Sequence, residues 1–219
     1  AAGICLAGNV VVCMMPYQKE MPQQNTGKIR LRSLVAVEIL PFAAILCLFA
    51  CGSGLVSSLL VLYGDDRGIA GIGLFFTAYS VMMILVRPLA GRLLDQKGLR
   101  VVLYPSIAAF ALCFLLLGNT SSILVVVLAG VLKAAGQGSG VPALQSTGLK
   151  IMGREKAGVV SSTCFIGQDI GNTIAPMIGG FVAQYFGYGV LFNGFSVVFL
   201  TGACLIYRVT SRKMMWKES

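Results

Sequence analysis

The sequence predicts an all-α integral membrane protein, and three observations carry that prediction. Apolar residues make up 57% of the 219 residues and charged residues only 11%. The apolar residues fall in runs long enough to cross a bilayer. The basic residues fall in the short loops between those runs, on one side. Average soluble domains carry about 25% charged residues. A soluble core this apolar would leave large sticky patches facing water, whereas lipid solvates them. The period-two alternation of a membrane β-barrel is absent, so the spans are helices, which satisfy their own backbone in lipid.

The elements follow in order. The chain opens on Ala1-Ala2-Gly3-Ile4, with no initiator Met and no basic lead-in. It does not read as a signal peptide. Residues 1–15 are expected to be the end of a preceding transmembrane helix, so the sequence reads as a piece of a longer chain. Residues 16–33 form a polar, basic linker. A span needs about 20 mostly apolar residues. Six complete candidates follow, at about 34–63, 69–90, 101–118, 122–147, 157–185 and 187–208. Residues 209–219 form a basic tail. The separating loops are Gly64-Asp65-Asp66-Arg67, Gly91 to Arg100, Asn119-Thr120-Ser121, Gly153 to Lys156 and Gly187-Tyr188-Gly189. Five spans contain one proline each: Pro41, Pro88, Pro105, Pro142 and Pro176. Proline frees a helix carbonyl and permits a kink. Kinked helices around a cavity and ordinary membrane-helix composition both account for it.

Orientation comes from lysine and arginine. The linker, the loop after the second span, the loop after the fourth and the tail, counted with the adjoining helix ends at Arg87, Lys150 and Arg208, together hold fifteen of the seventeen. Arg67 alone lies on the opposite side, and Lys133 lies inside a span. The basic side is therefore expected in the cytoplasm, with the C-terminus inside and the protein multi-pass in the plasma or inner membrane. This sorting also argues against nucleic acid as the reason for the net charge of +9.

The seven cysteines all sit in apolar stretches, without metal-type or disulfide spacing, and there is no histidine. That removes the commonest metal ligand and the usual general base. No cofactor, no metal and no catalytic residue is expected. An intramembrane enzyme fits poorly for the same reason. A channel fits poorly because no filter-like polar loop is present.

Two motifs carry more. Gly167, Gly171, Ala175 and Gly179 recur every fourth residue, which lays a smooth stripe down one helix face and permits close backbone packing in lipid. Pro176 adds a bend at that contact. In the loop Gly91 to Arg100, Gly91 and Gly98 allow a tight turn, and Asp95 can accept hydrogen bonds from free helix amides.

The pattern Gly91-x3-Asp95-x2-Gly98-x-Arg100 resembles the loop signature of the major facilitator superfamily of secondary transporters. Residues 136–145 resemble the fourth helix of that family's C-terminal half. Ser161-Ser162-Thr163, Asp169-x-Gly171 and Ala175-Pro176-x2-Gly179 resemble its penultimate helix in the drug and metabolite efflux branch. Leu94, Gln96 and Val102 depart from the signature, and Ala175 stands where glycine often precedes the proline. The resemblance implies that residues 34–208 are the six-helix C-terminal half of a twelve-helix fold. Its partners would be the bilayer, an N-terminal half, a small-molecule substrate and protons as the coupling ion. Substrate would bind between halves near the midplane, with access alternating by rocking. The first, second, fourth and fifth complete helices would line the cavity. The alternative is a truncated or accessory membrane protein without transport activity alone.

Ionisable residues at membrane depth are expensive and point to function. Lys133 and Asp169 each lie roughly 17–18 Å from their entry side, near the midplane. A hairpin centred on Gly153 brings them within a turn of each other, so a direct pair is one expectation. Separate partners are the other. Glu38, one turn inside the first span, either snorkels to the interface or carries a proton. Arg87 reads as a headgroup anchor. Gln137 and Gln145 share one helix face, and Gln168 and Asn172 another; these two faces are the candidate cavity wall.

Overall fold

The computed structural model describes residues 39–215. The expected preceding helix, the linker, Glu38 and residues 216–219 lie outside the described residues. Six α-helices fill the described chain: α1 (Leu40–Asp66), α2 (Leu74–Lys97), α3 (Leu99–Asn119), α4 (Ile123–Met152), α5 (Ala157–Phe186) and α6 (Tyr188–Met215). A single 3-10 turn, Arg154–Lys156, joins α4 to α5. The described residues contain no strand.

Five of the helices, all but α5, are long and apolar enough to cross a membrane by length and composition. α5 falls short because Ser161, Ser162, Thr163, Gln168, Asp169, Asn172 and Thr173 dilute it. Its 30 residues nevertheless span about 45 Å, well over the roughly 30 Å hydrocarbon layer. Only short connections tie it to α4 and α6, which do qualify.

The helices run past the apolar stretches at their C-terminal ends and α1 starts at Leu40, and two sequence expectations change as a result. The stretch Gly91 to Arg100 is not a loop. α2 continues through Gly91 to Lys97 and α3 begins at Leu99. The reversal rests on Gly98 alone, at φ 78°, where a side chain would strain the backbone. Its N–H closes α2 on the Leu94 carbonyl at 3.0 Å. Gly153 and Gly187 end α4 and α5 in the same way. Pro41, expected inside a span, instead sits in the first turn of α1, where its missing N–H costs nothing. The other four prolines are inside helices.

The core lies where α1, α3, α4 and α6 converge. Phe110 of α3 stacks at 4.9 Å from Phe49 of α1 and 4.8 Å from Phe199 of α6. The helices close around these rings because glycines leave room. A Cβ at Gly52 would lie 2.6 Å from the Phe110 ring, and one at Gly140 2.8 Å from the Phe49 ring. At the far end, the Tyr63 hydroxyl lies 2.6 Å from the Leu117 carbonyl and 2.5 Å from that of Thr120. It ties α1 to the end of α3, where carbonyls lack helical partners.

Candidate functional site

Neighbours in space are not always neighbours in sequence. α5 packs chiefly on α1, and α4 sits between α2 and α3. The α1–α5 seam is built from the small-residue stripe. A Cβ at Gly167 would lie 2.6 Å from the Ala43 carbonyl oxygen, and one at Gly171 would collide with that of Cys47. A Cβ at Gly179 would collide with Leu55, and Pro176 packs near Gly54 of α1. Ala175 is half-buried and packs against the core. Backbone approaches backbone here, so dispersion acts over the whole face. An apolar recess of about 210 Å³ opens beside the first two turns of α1, lined by Ala43, Cys47, Ile166 and Gly167 among others.

The second recess differs. A cleft of about 530 Å³ runs between α2 and α4. α2 contributes Met83, Arg87, Gly91 and Asp95; α4 contributes Gln137, Ser139, Gln145 and Ser146; α5 contributes Gln168. Three of the expected wall residues, Gln137, Gln145 and Gln168, therefore share one cleft. Asn172 does not join them. Its side chain is exposed and its backbone packs near Gly54. The first recess is lined by α1 and α5 and the second by α2, α4 and α5, with no lining residue from α3 or α6 in either.

Above the cleft, the Tyr79 hydroxyl donates to Gln137 Oε1 at 3.3 Å. Lys133, one turn up α4 from Gln137, is 4% exposed, with Nζ 4.3 Å from the centre of the Tyr79 ring. The direct Lys133–Asp169 pair is not formed. Asp169 is exposed on α5, and the ion pair found among the described residues is Lys150–Asp95. The reason is the packing: a hairpin between α4 and α5 assumed that they face each other, and the glycine stripe turns α5 toward α1 instead.

The signature residues also separate. Asp95 accepts from Lys150 Nζ at 3.0 Å rather than from helix amides, and both side chains are largely exposed. Arg100 reaches the Tyr207 hydroxyl on α6. Arg87, read from the sequence as a headgroup anchor, lines the cleft about ten residues, roughly 15 Å, before the end of α2. Tyr79, beside the cleft, escaped the sequence reading. Tyr79 lies eight residues before Arg87, on about the same helix face, and that spacing was the available signal. Among the described residues no group of three or more His, Cys, Asp or Glu is placed to hold a metal ion.

The model of the Major Facilitator Superfamily matches residues 18–219. A putative multidrug resistance protein MdtD of Citrobacter koseri is 28% identical over 108 residues, covering 49% of this chain and 23% of the relative. Its counterpart in Yersinia pseudotuberculosis is 25% identical over the same shares. The multidrug resistance protein MdtG of Klebsiella pneumoniae is 27% identical over 162 residues, covering 69% of this chain and 37% of the relative. The chain thus spans well under half the length of these relatives.

Proposed function

The chain belongs to the Major Facilitator Superfamily, and from that premise we propose that it exports a small organic solute in exchange for protons, by alternating access. It is a multi-pass membrane transporter chain. In this reading residues 34–208 form one six-helix half, and an N-terminal half of the same transporter closes over the α2–α4 cleft. The basic loops and the C-terminus face the cytoplasm, as the fifteen-to-one sorting of lysine and arginine supports. The relatives named for multidrug resistance support an organic solute as cargo.

The observation that carries the reading is the cleft. Gln137, Gln145 and Gln168 converge on one recess in a predominantly apolar helix set. Amides at membrane depth that border an open recess are suited to a passing solute, and the Tyr79 hydroxyl of α2 holds Gln137 at its edge. Glycine at the α1–α5 seam and proline inside α2 to α5 supply helices that bend and slide as units.

The test is uptake of a panel of amphipathic organic solutes into inside-out vesicles, with and without an imposed pH gradient. Gradient-driven accumulation is expected. Accumulation that ignores the gradient removes proton exchange but leaves transport. No accumulation of any solute favours the alternative, an accessory chain without transport activity alone. Labelling of sealed vesicles checks the orientation: Gly98 and Gly153 replaced by cysteine should react from the same face.

A further inference from the structure

We propose that the α2–α4 cleft selects small organic anions, with Lys133 as the group that recognises the negative charge. This rests on the transporter reading above and names its substrate class.

The charges around the cleft are unevenly distributed. Its lining contains one cation, Arg87, and one anion, Asp95. Asp95 is already neutralised by Lys150 at 3.0 Å. Asp169, the acidic residue that could have balanced Lys133, is exposed on α5 and outside the lining. Lys133 stands one turn beyond Gln137, and the groups against it are the Tyr79 ring on α2 and the Cys113 thiol on α3. No carboxylate among the described residues comes within ion-pair distance of it. An ammonium buried to 4% exposure without a counter-charge is costly at membrane depth. The face of Tyr79 offsets part of that cost. A bound anion would offset the rest.

The path from cleft to lysine is short and polar. Gln137 lines the cleft, the Tyr79 hydroxyl bonds to Gln137, and Lys133 Nζ sits over the same ring. For a solute seated against Gln137 to reach the ammonium, the Tyr79 side chain would have to rotate off it. Arg87, about two turns from Tyr79 toward the other end of α2, offers a first contact on the way in. Met83, Val141 and Ala143 supply apolar wall for the solute's body. The chemistry recognised is therefore a carboxylate or comparable anion on an apolar scaffold, with glutamine amides along its length.

The experiment uses the transporter in proteoliposomes and one scaffold in three charge states: 4-phenylbutanoate, 4-phenylbutanamide and 4-phenylbutylamine. Transport is read by flux, and binding by thermal shift in detergent. The wild type should move the acid at least about tenfold faster than the amide, the factor one charge-assisted hydrogen bond supplies. Lys133→Gln should abolish that discrimination, and Lys133→Arg should restore most of it. Arg87→Gln, at an exposed position that tolerates substitution, should lower the acid's flux with less effect on the amide. Equal or faster flux of the amide or amine in the wild type overturns the inference while transport stands. Unchanged discrimination in Lys133→Gln overturns the role of Lys133. A thermal shift by the acid without flux of any member overturns transport and keeps anion recognition. Absence of both overturns the inference.

Discussion

The α1–α5 seam and the α2–α4 cleft are made from similar helices and do opposite things. At the seam, glycines line up with a facing backbone, and a single added carbon at Gly171 would collide with the Cys47 carbonyl. At the cleft, Gln145, Ser146 and Gln168 border open space, Gln137 and Ser139 border it while bonded to Tyr79 and Ser106, and Gly91 has nothing within 4 Å of where a Cβ would stand. Small residues remove the room a partner would leave empty, so the helices touch. Long polar residues that border the gap between two packed helices leave space open for something else. What separates the two is what each small or polar residue meets, which composition does not contain.

The comparison can be broken first at the seam. Gly171→Val should destabilise the protein by about 3 kcal/mol, at the upper end of overpacking costs. Thermal unfolding in detergent measures it, and a melting point equal to wild type would mean that the seam tolerates separation. In the cleft, Gln137→Ala should do the reverse. Solute flux should fall by about tenfold, while stability stays within about 0.5 kcal/mol. A large loss of stability with flux per folded protein unchanged would make Gln137 a packing residue. Tyr63→Phe sharpens the contrast outside both regions. It leaves buried carbonyls of Leu117 and Thr120 without their donor, at a cost of about 1 kcal/mol. The smallest effect belongs to Asp95→Asn. The pair with Lys150 is exposed, so a double-mutant cycle should give below about 0.5 kcal/mol. A larger coupling would show that the pair is shielded in the whole transporter.

Much of the fold was legible, and the reasons are local. Six apolar runs gave six helices in the expected order, because run length and backbone satisfaction in lipid are properties of each segment alone. Their ends were less legible. α2 runs through Gly91 to Lys97 because a helix continues through polar residues until something stops it, and only Gly98 does. The site was legible in part. Gln137, Gln145 and Gln168 were marked by polarity at depth, and they share a cleft. The Lys133–Asp169 pair failed because it assumed that consecutive helices face each other. Tyr79 was passed over, and Arg87 was read only as a headgroup anchor, because an aromatic ring and a near-terminal arginine are ordinary membrane-helix residues until a cleft is seen beside them.

By itself, the sequence determined the class, the family and the number and order of the helices, since each follows from hydropathy, spacing and short motifs read along the chain. The tertiary structure alone decided that α5 leans on α1 and leaves α4 to α2. That choice depends on two surfaces matching over many residues at once, a glycine face here and a carbonyl there. No property of one helix specifies it until the other is in place.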